Sequence, residues 1–289
     1  MIDAPGSVLT IEPAKEWSAS GPLEQTALRL AKAFADSFPD GRVLPHRICT
    51  EAAAPDHAGL GTGTQIGLAV ARALAMDSGM ADMSTPDLAR RVGRGERSGI
   101  GIHGFEQGGF LIDGGRGKSA QVAPLVARLP VPEDWCVVLI TPRAEPGMHG
   151  MAERNAFETL VQSQHAEAIS ARLCRLALMG MLPALAEKDC AEFGNAVYEY
   201  NRLAGELFAP VQGGIYSQPI IGGIVEFIRG RGIAGAGQSS WGPTVFAIVK
   251  DHDLACSFAD SLRRKFGDGA TIILVTSANN RGATVEQSA

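Results

Sequence analysis

Hydrophobic positions recur at helical spacing over residues 24–37, where Leu28, Leu30, Ala31 and Phe34 share one face before the Pro39-Asp40-Gly41 turn. The same period predicts a helix over 65–76, with Thr64 as its N-cap. Another helix opens at Thr85-Pro86-Asp87, where proline suits the first helical position. Short, largely apolar or alternating stretches over 7–11, 43–54, 108–113 and 135–141 read as strands. Beyond residue 150 glycine thins, and 151–183 and 185–208 read as helices. A helix from Pro219 to about Arg229, a Gly/Ser loop, a strand over 244–249, a helix over 253–266 and a strand over 271–275 follow. The polar tail after Asn279 is expected to fray. The turn-rich cluster Pro142-Arg143-Ala144-Glu145-Pro146-Gly147 marks a boundary, which divides the chain into 1–145 and 146–289. This order predicts an α+β protein in two parts, each placing helices on a mostly antiparallel sheet.

Composition narrows the function. The chain has 289 residues, 26 Lys+Arg against 31 Asp+Glu and a net charge of −5, so it carries no electrostatic footprint for nucleic acid. No continuous apolar run approaches the ~20 residues of a membrane span, and no signal peptide opens the sequence, so the expectation is a cytoplasmic protein without a membrane partner. The five cysteines are scattered without CxxC spacing, which argues against a disulfide framework and a structural zinc site. Glycine reaches 35, and six lysines among 26 basic residues leave 20 arginines. Arginine suits bidentate anion binding, although a GC-rich coding bias explains the excess equally well.

Three glycine-rich stretches carry the candidate chemistry. In Pro55-Asp56-His57-Ala58-Gly59-Leu60-Gly61-Thr62-Gly63-Thr64-Gln65 a strand passes through glycines into a helix, so backbone N–H groups can converge on an anion, with the Thr62 and Thr64 hydroxyls beside them. The competing reading is an ordinary glycine turn with a helix cap. The second stretch, 94–116, holds eight glycines between Gly95 and Gly115 among Ser98, His103, Glu106 and Asp113. That density fits a ligand loop with close backbone contact. Arg90, Arg91, Arg94 and Arg97 precede or enter it, and a solvated helix face accounts for some of them. His103 is a candidate acid or base, or a structural hydrogen-bonding residue. Glu106 and Asp113 suit a divalent cation or a substrate hydroxyl. The third stretch, 235–244, is a Gly/Ser loop with Trp241 feeding the strand over 244–249, and a plain connecting loop would look the same.

In this order the three loops resemble the motifs of the GHMP kinase superfamily. Gly59-Leu60-Gly61-Thr62-Gly63-Thr64 is similar to its phosphate loop, and Gly237-Gln238-Ser239-Ser240-Trp241-Gly242-Pro243-Thr244 to its third motif. Gln65 after the phosphate loop, the Phe105-Glu106-Gln107-Gly108-Gly109-Phe110 run, Arg154-Asn155-Ala156-Phe157 and Trp241 resemble one branch, the β-ribofuranosylaminobenzene 5′-phosphate synthase family. The resemblance implies a GHMP kinase-like fold and a decarboxylating pentosyl transfer. Phosphoribosyl pyrophosphate would join 4-aminobenzoate or 4-hydroxybenzoate with release of CO2 and pyrophosphate, assisted by Mg2+, in methanopterin biosynthesis. Gly59, Gly61, Thr62, Gly63, Thr64 and Gln65 would bind phosphate. His103, Glu106 and Asp113 would be catalytic, with Asp113 on the metal. Arg97, Ser98, Arg116, Gln238, Ser239, Ser240 and Trp241 would hold substrates. A homodimer is implied by the same resemblance. Two departures matter: Gly101 stands where several kinases carry a catalytic aspartate, and a first strand with a Pro-x-Arg motif is missing ahead of Met1-Ile2-Asp3-Ala4-Pro5. The alternatives are an ATP-dependent small-molecule kinase of the same fold and a catalytically inactive binding protein.

Overall fold

A computed structural model describes residues 1–96, 98–117, 120–143, 164–240, 242–267 and 271–287. They form two compact units, one of Met1–Asp56, Gly61–Pro130 and Asn279–Ala289, the other of His57–Leu60 and Val131–Ala278. The division falls ahead of the turn cluster at 142–147, because the strand Cys136–Pro142 pairs with strands of the second unit.

In the first unit β1 (Val8–Pro13), β3 (His46–Ala52) and β2 (Ser18–Ser20) form a sheet in the order β1-β3-β2. β1 runs antiparallel to β3 with Ile11 opposite Ile48, and β2 runs parallel to it. The apolar face predicted for the first helix is buried in α1 (Glu24–Asp36), through Ala27, Leu30, Ala31 and Phe34. It packs with α2 (Thr62–Asp77) around Ile48, Ile66 and Leu74, all fully buried. Each such side chain contributes roughly 1.5–3 kcal/mol of burial. In α3 (Thr85–Arg91) the Ser84 hydroxyl accepts the Asp87 N–H as N-cap, and proline occupies the first turn.

Three corrections arise here. α2 begins at Thr62 with Gly61 as N-cap, so Thr64 lies inside the first turn and is not the cap. The glycine-rich stretch expected as a ligand loop contains a helix, α4 (Ile100–Gln107), because Ile102 and Phe105 reach the core together. β4 (Phe110–Asp113) follows, paired with β5 (Leu125–Leu129). The tail is held as far as Ala283: the Gly109 N–H donates to the Asn279 carbonyl at 2.6 Å, and the Ala283 N–H to the Phe105 carbonyl at 2.7 Å.

In the second unit four antiparallel strands take the order β7-β8-β6-β9: Gly235–Gln238, Val245–Val249, Cys136–Pro142 and Thr271–Ser277. Val138 lies opposite both Ala247 and Val275. The helices are α5 (Gln164–Leu176), a π-helical turn (Ala177–Met181), α6 (Leu182–Ala186), α7 (Cys190–Gln212), α8 (Pro219–Gly230) and α9 (His252–Phe266). Asp189 caps α7, accepting the Ala191 and Glu192 N–H groups, and Asp251 caps α9 through the Leu254 N–H. Ile221, Ile224 and Val225 of α8 and Phe258 and Leu262 of α9 cover the β6–β8 core.

The 166–186 stretch bears on the membrane reading by length and composition alone. Its 21 helical residues reach a mean hydropathy of 1.4, long and apolar enough to cross a bilayer by length and composition. Its Arg172 pairs with Glu199 of α7 at 3.4 Å, an exposed contact worth at most about 1 kcal/mol. All five cysteines are free thiols.

Candidate functional site

The first turn of α2 has the makings of an anion site. Gly61 adopts φ +72°, and a Cβ there would meet nothing within 4 Å, so its backbone faces open space. The Thr64 and Gln65 N–H groups bond to the Gly61 carbonyl. Those of Thr62 and Gly63 occupy helix positions that have no intrahelical partner and lie at the positive end of the dipole. The Thr62 hydroxyl is already committed, donating to the Pro55 carbonyl at 2.9 Å, so it fixes the loop. The Gln65 amide donates to the Gly101 carbonyl at 2.9 Å, which ties α2 to the first turn of α4.

The four arginines separate by geometry. Arg91 bonds to the Ser37 carbonyl and hydroxyl and lies 3.8 Å over the Phe38 ring, and Arg90 pairs with exposed Asp87. Both are structural. Arg94 instead lays its Nη2 3.1 Å from where a Cβ of Gly63 would stand, against the α2 first turn. Nothing in its sequence context distinguishes it from its neighbours; its position next to the phosphate-type turn does. Arg97 lies outside the described residues.

Asp113 is engaged in a way that sequence did not reveal. Its Oδ2 accepts the Ser98 hydroxyl at 2.7 Å and the Gly99 N–H at 2.8 Å, and its Oδ1 accepts the Gly115 N–H at 3.1 Å. Ser98 Oγ in turn accepts the Ile100 N–H at 3.2 Å. The pair therefore caps α4 from a distance, and Ser98 serves this cap. Among the described residues no three His, Cys, Asp or Glu side chains converge to hold a metal ion. The three hydrogen bonds that Asp113 accepts are those of a helix cap. Asp113→Ala is expected to lower stability by about 1–2 kcal/mol, as for loss of other caps, and to leave the magnesium dependence of activity unchanged. Thermal unfolding and a magnesium titration on the same variant check this.

His103 bonds through Nε2 to the Ala123 carbonyl at 2.9 Å, so Nε2 carries the proton and the ring ties α4 to the segment before β5. Glu106 and Arg116 are exposed. The structure thus brings Gly61–Gln65, Arg94, Ser98, His103 and Asp113 to the neighbourhood of the α2 and α4 first turns; the His103 ring lies against Gly99, whose N–H Asp113 holds, and Glu106 is exposed.

In the second unit two glycine motifs interlock. A Cβ at Gly59, where φ is +82°, would overlap the Ser239 carbonyl oxygen and stand 3.1 Å from Gly242 Cα. A Cβ at Gly242 would overlap the backbone of Ala58 and Gly59. The Ser239 hydroxyl donates to the Gly59 carbonyl at 2.8 Å. Ser239 and Gly59 therefore hold each other. Gln238 is 5% exposed, with its amide fully engaged: Nε2 donates to Ser217 Oγ and the Gly242 carbonyl, and Oε1 accepts the Ser217 N–H. No free polar atom of Gln238 remains for a substrate, so its predicted binding role gives way to shaping the turn. Ser240 sits at φ +54°, a strained left-handed conformation for a residue with a side chain. Trp241, and the Arg154-Asn155-Ala156-Phe157 motif, lie outside the described residues.

Comparison with known proteins places these motifs. The family model "GHMP kinases C terminal" matches residues 181–276. Among solved structures, the L. major mevalonate kinase in complex with R-mevalonate aligns over 96% of this chain and 87% of its own, with a TM-score of 0.67 and 16% identity. Homoserine kinase from Cytophaga hutchinsonii aligns over 97% and 89%, with a TM-score of 0.65 and 17% identity. At these identities the likeness is one of fold, and it bears out the GHMP kinase-like α+β expectation. Two relatives go further, both named β-ribofuranosylphenol 5′-phosphate synthase. The one from Archaeoglobus fulgidus is 36% identical over 80% of this chain and 73% of its own. The one from Methanothermobacter thermautotrophicus is 34% identical over 79% and 70%. With such identity across most of its length, the chain belongs to the β-ribofuranosylphenol 5′-phosphate synthase family, a branch built on the GHMP kinase fold.

Proposed function

We propose that this enzyme joins phosphoribosyl pyrophosphate to a benzoate, forming a carbon–carbon riboside bond with loss of CO2 and pyrophosphate. What supports the reading is the shared name of the relatives, whose phenol product favours 4-hydroxybenzoate over 4-aminobenzoate as acceptor. The electron balance is simple. The ring carbon bearing the carboxylate, made nucleophilic by its para substituent, bonds to ribosyl C1 as the C1–O bond to the diphosphate breaks. Pyrophosphate leaves with that electron pair, and cleavage of the carboxylate C–C bond restores aromaticity. Decarboxylation replaces proton loss from the ring, so no general base is needed at that carbon. The hydrogen-bonded His103 is consistent with this, and Glu106 remains the candidate for the proton of the ring substituent.

The departing diphosphate needs positive charge and aligned donors. The outward N–H groups of Thr62 and Gly63, the α2 dipole and Arg94 supply these. Magnesium, when bound, would supply further positive charge to the diphosphate through substrate phosphates and retained waters; no carboxylate here is assigned to it. A homodimer follows from the same resemblance, and a mass measurement in solution checks it.

Incubation with phosphoribosyl pyrophosphate and carboxyl-labelled 4-hydroxybenzoate or 4-aminobenzoate tests the proposal. Labelled CO2 is expected only when both substrates are present. ATP consumption stimulated by a hydroxyl acceptor, without labelled CO2, would establish the kinase reading instead. Gly101 argues against that outcome, since the α4 position packed beside Thr64 carries no side chain to act as the base. Neither product would leave the inactive binding protein.

A further inference from the structure

The turn that clasps Gly59 is itself strained, and something must hold it. Ser240 is left-handed at φ +54°, and on the other side of the clasp His57 is left-handed at φ +55°. Conformations of this kind persist only where their surroundings over-determine them. The restraint runs through Gln238, whose side chain reaches Ser217 and Gly242, and whose backbone ends β7, the edge strand of its sheet. An edge strand leaves backbone groups unpaired. Here a side chain pairs them. Asn201, on α7, donates from Nδ2 to the Gln238 carbonyl and accepts the Gln238 N–H at Oδ1, both at 2.9 Å. This reciprocal pair imitates one step of a β-ladder. The approach is close enough that a Cβ on Gly237 would stand 2.5 Å from Asn201 Cγ, which is why glycine precedes Gln238.

We infer that Asn201 is a positioning residue for the phosphate loop, acting through Gln238, Ser239 and Gly242 on Gly59. The inference rests on the proposed reaction for its substrate, but its geometry stands independently. Neither a leucine of similar volume, which offers neither bond, nor a carboxylate, which offers the acceptor alone, replaces it. The ionised groups nearest in sequence, Glu199 and Arg202, are paired with each other at 2.8 Å. The Tyr216 phenol, pushed up to about 12 by burial, stays neutral. The clamp is therefore a neutral one at ordinary pH.

The test compares wild type with Asn201→Asp and Asn201→Leu in the full chain. Phosphoribosyl pyrophosphate binding is measured by calorimetry, KM and kcat by labelled CO2 release, and local opening by amide hydrogen exchange. In Asn201→Asp the KM for phosphoribosyl pyrophosphate is expected to rise tenfold or more, with kcat within about threefold of wild type and the benzoate KM unchanged. Exchange should quicken at 57–60 and 238–240 but not in β6 or β9. Asn201→Leu should show the same pattern more strongly; if it does not fold, the Asp variant alone decides. A folded Asp variant with wild-type affinity and wild-type exchange at 57–60 overturns the inference. If wild type itself fails to bind phosphoribosyl pyrophosphate, the proposed reaction falls, and exchange at 57–60 still decides the role of Asn201: quickened exchange supports it, unchanged exchange sinks it.

Discussion

Gly59→Ala is expected to destabilise the protein by about 3 kcal/mol or more. Two costs combine. The left-handed backbone at φ +82° costs a residue with a Cβ roughly 1–2 kcal/mol. The new methyl would also overlap the Ser239 carbonyl oxygen and press on Gly242 Cα, and overpacking of this kind typically costs ~1–3 kcal/mol. The opposing atoms are backbone, so no rotamer change relieves the overlap. At about 2–4 °C per kcal/mol for a unit of this size, the melting temperature should fall by on the order of 10 °C. Gly242→Ala should behave similarly, because its clash with Ala58 and Gly59 is the same contact seen from the other side. The double variant should then cost less than the sum of the singles, as expected of residues sharing one contact. Calorimetry on the three variants measures this. A Gly59→Ala protein within about 1 kcal/mol of wild type would show the interlock to be loose and return Gly59 to a ligand-contact role.

The contrast between these glycines and their neighbours explains what was legible in the sequence. Helices with one apolar face, such as α1 and α9, were readable because a 3.6-residue period needs no partner to be recognised. β2, β5 and β7 were not. Ser18–Ser20 is three residues long with Ala19 as its one apolar side chain, Leu125–Leu129 is interrupted by Arg128, and Gly235–Gln238 contains no β-branched residue. Each is a strand because a neighbouring strand pairs with it, and for β7 because Asn201 completes its edge. That is information from far along the chain.

The same limit applied at the site. The 59–65 and 237–244 motifs were correctly singled out as glycine loops, but spacing cannot tell a glycine that accommodates a ligand from one that accommodates another backbone. Gly59 and Gly242 belong to the second kind. Asp113 and Ser98 looked like a metal and substrate pair because acidic and hydroxyl groups near glycines serve both purposes. Their partners, the Gly99, Ile100 and Gly115 N–H groups, are what a helix cap requires. Asn201 had no local signal at all: an asparagine within a helix is usually a mild liability, and its use here appears only once α7 lies against β7.

Gly61→Ala should separate the two kinds of glycine. Like Gly59 it is left-handed, at φ +72°, but a Cβ there enters open space with nothing within 4 Å. The substitution therefore carries only the conformational cost of roughly 1–2 kcal/mol, and the protein should remain folded. A valine at this position would be a poorer probe, since β-branching adds strain unrelated to ligand. Binding should suffer far more. In the proposed site the methyl would occupy space through which the diphosphate approaches the Thr62 and Gly63 N–H groups. Losing or lengthening one charge-assisted hydrogen bond, worth ~1.5–3 kcal/mol, weakens affinity roughly ten- to hundredfold. Calorimetry with phosphoribosyl pyrophosphate, and with inorganic pyrophosphate as the isolated leaving group, should show the same loss for both, because the proposed contact is to the diphosphate and not to the ribose. Equal weakening with a modest fall in melting temperature places the diphosphate on this turn. Wild-type affinity for both ligands in a folded Gly61→Ala protein would remove the α2 first turn from the site, and the diphosphate would have to be held elsewhere.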